Sequence, residues 1–233
     1  MSNLFVDEIY NPHDDWKFPE GPTFNGCFID IGTRNMGIRF SSYDEKNIEG
    51  KMQTKADYDL ARGVKKIRES LKEKSQVGIE NDKYFCMIDH MSSLRERFVD
   101  CHFIIIEHQL EHVATARNNV KVMNMLIGCL MLLVKNSGNR PLILLVAAKA
   151  KTRLLNAPKK LTKEEIKDWC FEKSLELIRE NVGVVDEELS KLLPKLPKSG
   201  KNKRDEHGDI ICFCHVFWKY IFPYLRNTHG KQD

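Results

Sequence analysis

Cys101-His102-Phe103-Ile104-Ile105-Ile106-Glu107 holds four consecutive large apolar residues closed by an acid. A run this short, without polar alternation, predicts the buried central strand of a sheet. Towards the N-terminus, Cys27-Phe28-Ile29-Asp30-Ile31-Gly32 is a second buried strand that reaches an acid and a glycine. Gly37 to Tyr43 follows at once, and Ile48 to Thr54 adds a third strand, so short turns join an antiparallel meander. Residues 57–100 read as helical. Residues 118–135 carry Val122, Met125, Leu126, Cys129, Leu130 and Leu133 at helical spacing, and Pro141 opens a fifth strand over Leu142 to Ala148. Thr162 with Glu165 forms a capping-box pattern ahead of the stripe Ile166, Trp169, Cys170, Leu177 and Ile178. A loop with Pro194, Pro197 and Gly200 spans 181–204, and a last helix runs from Asp205 to Tyr220, ended by Pro223. The expectation is an α/β fold: a mixed five-stranded sheet, antiparallel meander then parallel strands, flanked by helices. Residues 1–25 are expected to be a polar lead-in without periodic pattern, 26–226 one domain and 227–233 a tail.

A chain of 233 residues is long enough to bury a full core, and 42% hydrophobic with 30% charged residues excludes a disordered or collagenous protein. Met1 to Phe18 contains Asp7, Glu8, Asp14 and Asp15 and no apolar core, so no secretory signal is expected. Met123 to Val134 is the longest apolar run and is too short to span a bilayer. Seven cysteines without regular spacing suggest free thiols in a reducing compartment, the cytoplasm or one like it. The net charge of +4 says little about partners until its distribution is considered.

A carboxylate at the end of a buried strand is costly unless something compensates it. Asp30 and Glu107 both occupy such positions, with no base beside them in their own strands. Each alone is explained by backbone hydrogen bonds at a strand end; two on neighbouring strands ask for more. Asp205, Glu206 and Asp209 add acids at the start of an otherwise apolar helix, where 209 shares a face with 205 and with 206. The helix dipole alone favours acids there. Three acidic loci on an apolar framework are nevertheless the ingredients of a hard-cation site, and paired Mg²⁺ ions suit phosphodiester hydrolysis.

Asp30-Ile31-Gly32-Thr33-Arg34-Asn35-Met36-Gly37, Ile105-Ile106-Glu107-His108-Gln109 and Lys203-Arg204-Asp205-Glu206-His207-Gly208-Asp209 occur in that order. The set resembles the RuvC-like Holliday-junction resolvases, nearest in pattern to the poxvirus and mitochondrial branch. The first motif is similar to that branch's Asp-Ile-Gly-x-x-Asn, the second to its Glu-x-Gln, the third to its basic pair, acidic pair and final Asp. The resemblance implies an RNase H-like fold, a homodimer, two Mg²⁺ ions per site (Mn²⁺ substituting) and paired cleavage of four-way DNA junctions, in recombination and repair and, for a viral member, at the site of viral replication. It assigns metal to Asp30, Glu107 and Asp209 with Asp205 or Glu206, and it places Arg34, Asn35 and Gln109 near DNA. This chain departs from the family's two adjacent aspartates in having Asp205 followed by Glu206, and Gly208 should loosen the helix start by roughly 1 kcal/mol relative to Ala. The family also uses a lysine near the fifth strand; Lys149, Lys151, Lys159 and Lys160 all qualify.

The segment from Lys191 to Arg204 contains Lys198, Lys201, Lys203 and Arg204 among its bases and no acid, and 149–160 is a second acid-free basic loop. Either is a solvated face in an arbitrary protein; beside the acidic loci both suit DNA phosphates. Cys212-x-Cys214-His215 lacks a second ligand pair at zinc spacing and reads as buried structure. His108 reads as a hydrogen-bonded neighbour of Glu107 or, less simply, a group that polarises water. Met123, Met125 and Met131 read as core or dimer interface. Two other classes compete: a non-catalytic RNase H-like nucleic-acid scaffold, and an actin-like phosphotransferase, for which Asp30-Ile31-Gly32-Thr33 would be a phosphate loop but no Gly-Gly pair supplies the second.

Overall fold

The computed structural model describes residues 5–11, 15–31, 36–44, 48–54, 76–109, 117–180 and 204–230. Six strands form one sheet: β1 (Val6–Tyr10), β2 (Thr23–Ile31), β3 (Met36–Asp44), β4 (Ile48–Thr54), β5 (Phe103–His108) and β6 (Leu142–Ala147), in the order β1-β6-β5-β2-β3-β4. β5 lies between β2 and β6, parallel to both, as its isoleucine run requires. β2, β3 and β4 form the antiparallel meander. The helices are α1 (Gln76–Ser93), α2 (Arg95–Val99), α3 (Arg117–Val134), α4 (Lys149–Leu154), α5 (Lys163–Glu180), α6 (Arg204–Val216) and α7 (Phe222–His229), with a π-helical turn at Phe217–Ile221 between the last two.

Strand alternation divides the core between the two faces. Phe28, Phe103, Ile105, Leu144 and Val146 pack under α5, α6 and the π turn. Ile29, Ile104, Ile106, Ile143 and Leu145 pack against Met87, Met91, Phe98, Leu126 and Leu130 of α1, α2 and α3. Under α6 the aromatic residues dominate. Trp218 stacks on Tyr43 with centroids 5.2 Å apart, meets Phe28 edge-on, and donates its indole N–H to Ser41 Oγ at 3.2 Å. Gly26 makes room for it: a Cβ there would stand 2.8 Å from the indole ring.

Three expectations need correction. The sheet has a sixth strand inside the supposed lead-in, β1, antiparallel to β6 with an irregularity between Val6 and Glu8. Its sequence, VDEIY, hides it, because only Val6 and Tyr10 are even half-buried and pairing with β6 rather than periodicity makes it a strand. Lys149 to Leu154 is a helix rather than the start of a loop. Pro223 does not end the last helix. It sits in the first turn of α7, where its missing N–H has no partner to lose, and the wider π turn just before it realigns the chain. The helical reading of 57–100 holds from Gln76 to Val99; residues 57–75 lie outside the described part, as do residues 181–203 of the expected 181–204 loop.

α1 and α2 cover one side of α3, burying Met123, Leu126, Leu130 and Val134. Met125 and Leu132 face outward, Leu132 at 78% exposure. Among the described residues no helix is long and apolar enough to cross a membrane.

Candidate active site at the strand ends

Ile29 of β2 pairs with Ile106 of β5 in parallel register, so the residues that follow them, Asp30 and Glu107, emerge side by side. Each falls one alternation beyond Phe28 and Ile105, on the face that α6 covers. α6 contributes Asp209. α4, which leaves the adjacent β6, contributes Lys151. The Lys151 ammonium is buried, 3.1 Å from Asp209 Oδ1 and 3.2 Å from Glu107 Oε1. Four elements far apart in the chain thus place three acids and one base at one point.

Three ionised carboxylates against one ammonium would leave two negative charges in excess, and the electrostatics show where the strain goes. Burial first, then the charge of Glu107, push the Asp30 carboxyl well above the usual carboxylate range, with Lys151 opposing. Burial works against ionised Glu107 too, but the Lys151 charge and hydrogen bonds from Asp30 and Lys151 outweigh it and hold Glu107 below its ordinary value. Lys151 loses hydration by burial, yet Asp209, Glu107 and Asp30 together raise it well above a free lysine. Of the three carboxyls, Asp30 is therefore the one that takes up a proton most readily, shared with Glu107, while Lys151 clasps Glu107 and Asp209.

The close approach of α6 depends on Gly208. A Cβ at that position would lie 2.8 Å from Phe171 Cα and 3.2 Å from the Cys170 carbonyl of α5. The glycine that loosens the helix start in isolation is what lets α6 seat Asp209 against Lys151. Cys212 Sγ donates to that same Cys170 carbonyl at 3.3 Å, whereas Cys214 is buried towards Arg39, Ser41 and Trp218. The two cysteines serve packing on different sides of the helix. Burial, with Lys219 and Lys173, pushes the neighbouring His215 down to about 4, so it stays neutral.

Of the predicted catalytic residues, Asp30, Glu107, Asp209 and Lys151 come together. Lys149 does not: two residues away on a short helix it points elsewhere, is exposed, and forms no ion pair with a described residue. Asp205 and Glu206 lie in the first turn of α6, one turn before Asp209. Gln109 is held at the site's edge, donating to the Glu107 carbonyl at 3.3 Å and accepting from Asn119 at 3.1 Å. Lys159 and Lys160 are exposed beyond α4. Arg204 begins α6, while Arg34, Asn35, Lys198, Lys201 and Lys203 fall outside the described residues. His108 is a hydrogen-bonded neighbour: its Nδ1 lies 2.6 Å from Asp7 Oδ2, on the irregularity of β1. Asp7 and Asn119 carried no signal in the sequence, since their partners are distant in the chain.

The donor set tests well against a hard cation. Its atoms are carboxylate oxygens, it carries net negative charge, and burial with the Glu107 charge raises the Asp30 carboxyl, a strain that added positive charge would relieve. Among the described residues no three of His, Cys, Asp and Glu are already arranged to hold a metal ion, and the Lys151 ammonium stands between Glu107 and Asp209. No protein-family model matches the chain, and no curated protein matches it in sequence.

Proposed function

We propose that this chain is a divalent-metal-dependent endonuclease that cuts branched DNA, four-way junctions above all, on an RNase H-like domain. The observation that carries this reading is the convergence of Asp30, Glu107 and Asp209 around Lys151, one residue from each of three motifs spread over the chain plus one base. The strand order, a meander continued by two parallel strands with the acids at adjacent strand ends, supports it. Mg²⁺, or Mn²⁺ in its place, held by Asp30, Glu107, Asp209 and Asp205 or Glu206, supplies the Lewis acidity that phosphodiester hydrolysis needs.

The chain's own residues then divide the remaining work. Lys151 stays protonated throughout the physiological range, so it is no general base; its task is to stabilise negative charge developing on the phosphate. Because the Asp30 carboxyl is raised, a cation held there would favour its ionised form, and binding would strengthen as pH rises. Gln109 and Asn119 fix the ends of β2 and β5 from the opposite face, Asn119 also donating to the Ile31 carbonyl at 3.4 Å. The outward Met125 and Leu132 of α3 suit a second copy of the chain, which would give a two-fold dimer for cutting opposed strands.

The test is incubation with a synthetic four-way junction and with its linear duplex arms, with and without Mg²⁺. Junction cleavage that needs Mg²⁺ and disappears in Glu107→Gln is expected. The charge-clasped cluster also favours a second reading, a scaffold in which Lys151 closes the site permanently. Tight junction binding with no cleavage at any metal concentration selects that one.

A further inference from the structure

One face of α4 is buried with Lys151; the other, with the turn that follows, borders an open groove of about 620 Å³. Arg153, Lys159 and Lys160 line it, and Ala157, Pro158 and Leu161 give it apolar surface. All three cations are exposed, and none forms an ion pair with a described residue. Two acids follow at the start of α5: Glu164 is outside the groove lining and in no ion pair with a described residue, and the Glu165 carboxylate accepts the Thr162 N–H at 2.7 Å in the capping box. Like charges gathered without a counter-charge among the described residues repel one another, and a bound polyanion removes that penalty.

The groove is also preformed. Asn156 and Lys160 hold left-handed backbone at φ 58° and 65°, and the Ala157 N–H bonds back to the Thr152 carbonyl at 2.8 Å. Leu155 pins the turn into the core. Arg153 follows Lys151 by two residues, about 3 Å along the helix axis and on a different side of it. The groove therefore begins within one helical turn of the acid cluster.

We infer that this groove seats the sugar–phosphate backbone of the substrate DNA just beyond the cleaved linkage, with Arg153, Lys159 and Lys160 on phosphates and the apolar surface against deoxyribose. The inference rests on the endonuclease reading for the class of its ligand. It separates two jobs on one short helix: Lys151 faces the chemistry and Arg153 the hold on DNA.

The test compares two triple variants of the full chain, each in an Asp30→Asn background that blocks cutting. One is Arg153→Gln with Lys159→Gln and Lys160→Asn, asparagine being chosen because it tolerates the left-handed backbone. The other, Lys17→Gln with Arg95→Gln and Lys135→Gln, removes the same charge from exposed positions elsewhere. Junction binding is measured by fluorescence anisotropy across a salt series, with unchanged circular-dichroism melting as the fold control. The groove variant should bind roughly tenfold more weakly at physiological salt and lose about 2 to 3 from its log–log salt slope, at about 0.9 per phosphate contact. The control should stay within about twofold. Equal weakening by both variants, or an unchanged slope in the first, overturns the inference. So does loss of binding to inorganic pyrophosphate alone with DNA binding intact, which would make the groove a small-anion site. A wild-type chain that cuts no junction while the groove variant still loses DNA binding sinks the catalytic reading and leaves the groove standing.

Discussion

Phe28 and Asp30 stand two residues apart on β2, and Phe103 and Glu107 four apart on β5, all on the face that α6 covers. The aromatic end is complete in itself. Trp218 and Phe217 pack against both Phe28 and Phe103, Phe222 meets Phe103 edge-on, Tyr43 stacks on Trp218, and the indole N–H of Trp218 has its acceptor in Ser41. The acid end is not: among the described residues its carboxyls are compensated by an ammonium borrowed from α4, and Asp30 is pushed towards keeping its proton. The same strands, a few residues further on, pass from a region that buries apolar surface at a gain to one that buries charge at a cost. The stability of the first should ignore solution conditions, whereas that of the second should follow protons and cations.

The sharpest way to break this contrast is a pair of truncations. Trp218→Ala empties a fully buried site and should cost about 3–5 kcal/mol in chemical denaturation, with the same loss whether or not Mg²⁺ is present. Lys151→Met should cost a similar amount, about 3–5 kcal/mol in metal-free buffer, because Glu107 and Asp209 are left as uncompensated buried charges. Millimolar Mg²⁺ should return a large part of that second loss and none of the first. Equal responses to Mg²⁺ would mean the two ends do not differ in kind.

A smaller effect sharpens the comparison through pH. The folded-state pKa of Asp30 is raised, so below about pH 4, the ordinary value of the unfolded chain, both states hold the proton and no penalty exists. Above it the unfolded chain ionises first, and wild type loses stability until the folded carboxyl titrates. Asp30→Asn removes the penalty. In metal-free buffer its melting temperature should match wild type near pH 4 and exceed it by a few degrees at pH above that ordinary range. A variant that melts below wild type at pH 8 would show that the carboxylate is stabilised and not strained.

Much of this was legible in the chain. The isoleucine run needs two neighbouring strands, and β5 has them. Asp30, Glu107 and Asp209 stand out because an acid against apolar residues has to be compensated, which is a local signal. Lys151 was one lysine among four because the choice depends on the direction in which a six-residue helix leaves β6. β1 escaped because its pattern is polar on its own and becomes a strand only against β6. The Asp7–His108 contact joins positions that no spacing relates. Gly208 carried the opposite sign in sequence: judged within one helix it is a defect, judged against α5 it is the clearance that seats Asp209.

The central claim is that Asp30, Glu107 and Asp209 form one hard-cation site that Lys151 holds closed in the absence of metal. Mn²⁺ binding followed by electron paramagnetic resonance tests it most directly, on the wild-type chain and on Asp30→Asn, Glu107→Gln, Asp209→Asn and Lys151→Met. The account predicts saturable binding to wild type, loss of affinity in each acid variant, and tighter binding in Lys151→Met, where the competing ammonium is gone. Binding that Glu107→Gln leaves unchanged, or no binding to the wild-type chain, would contradict it.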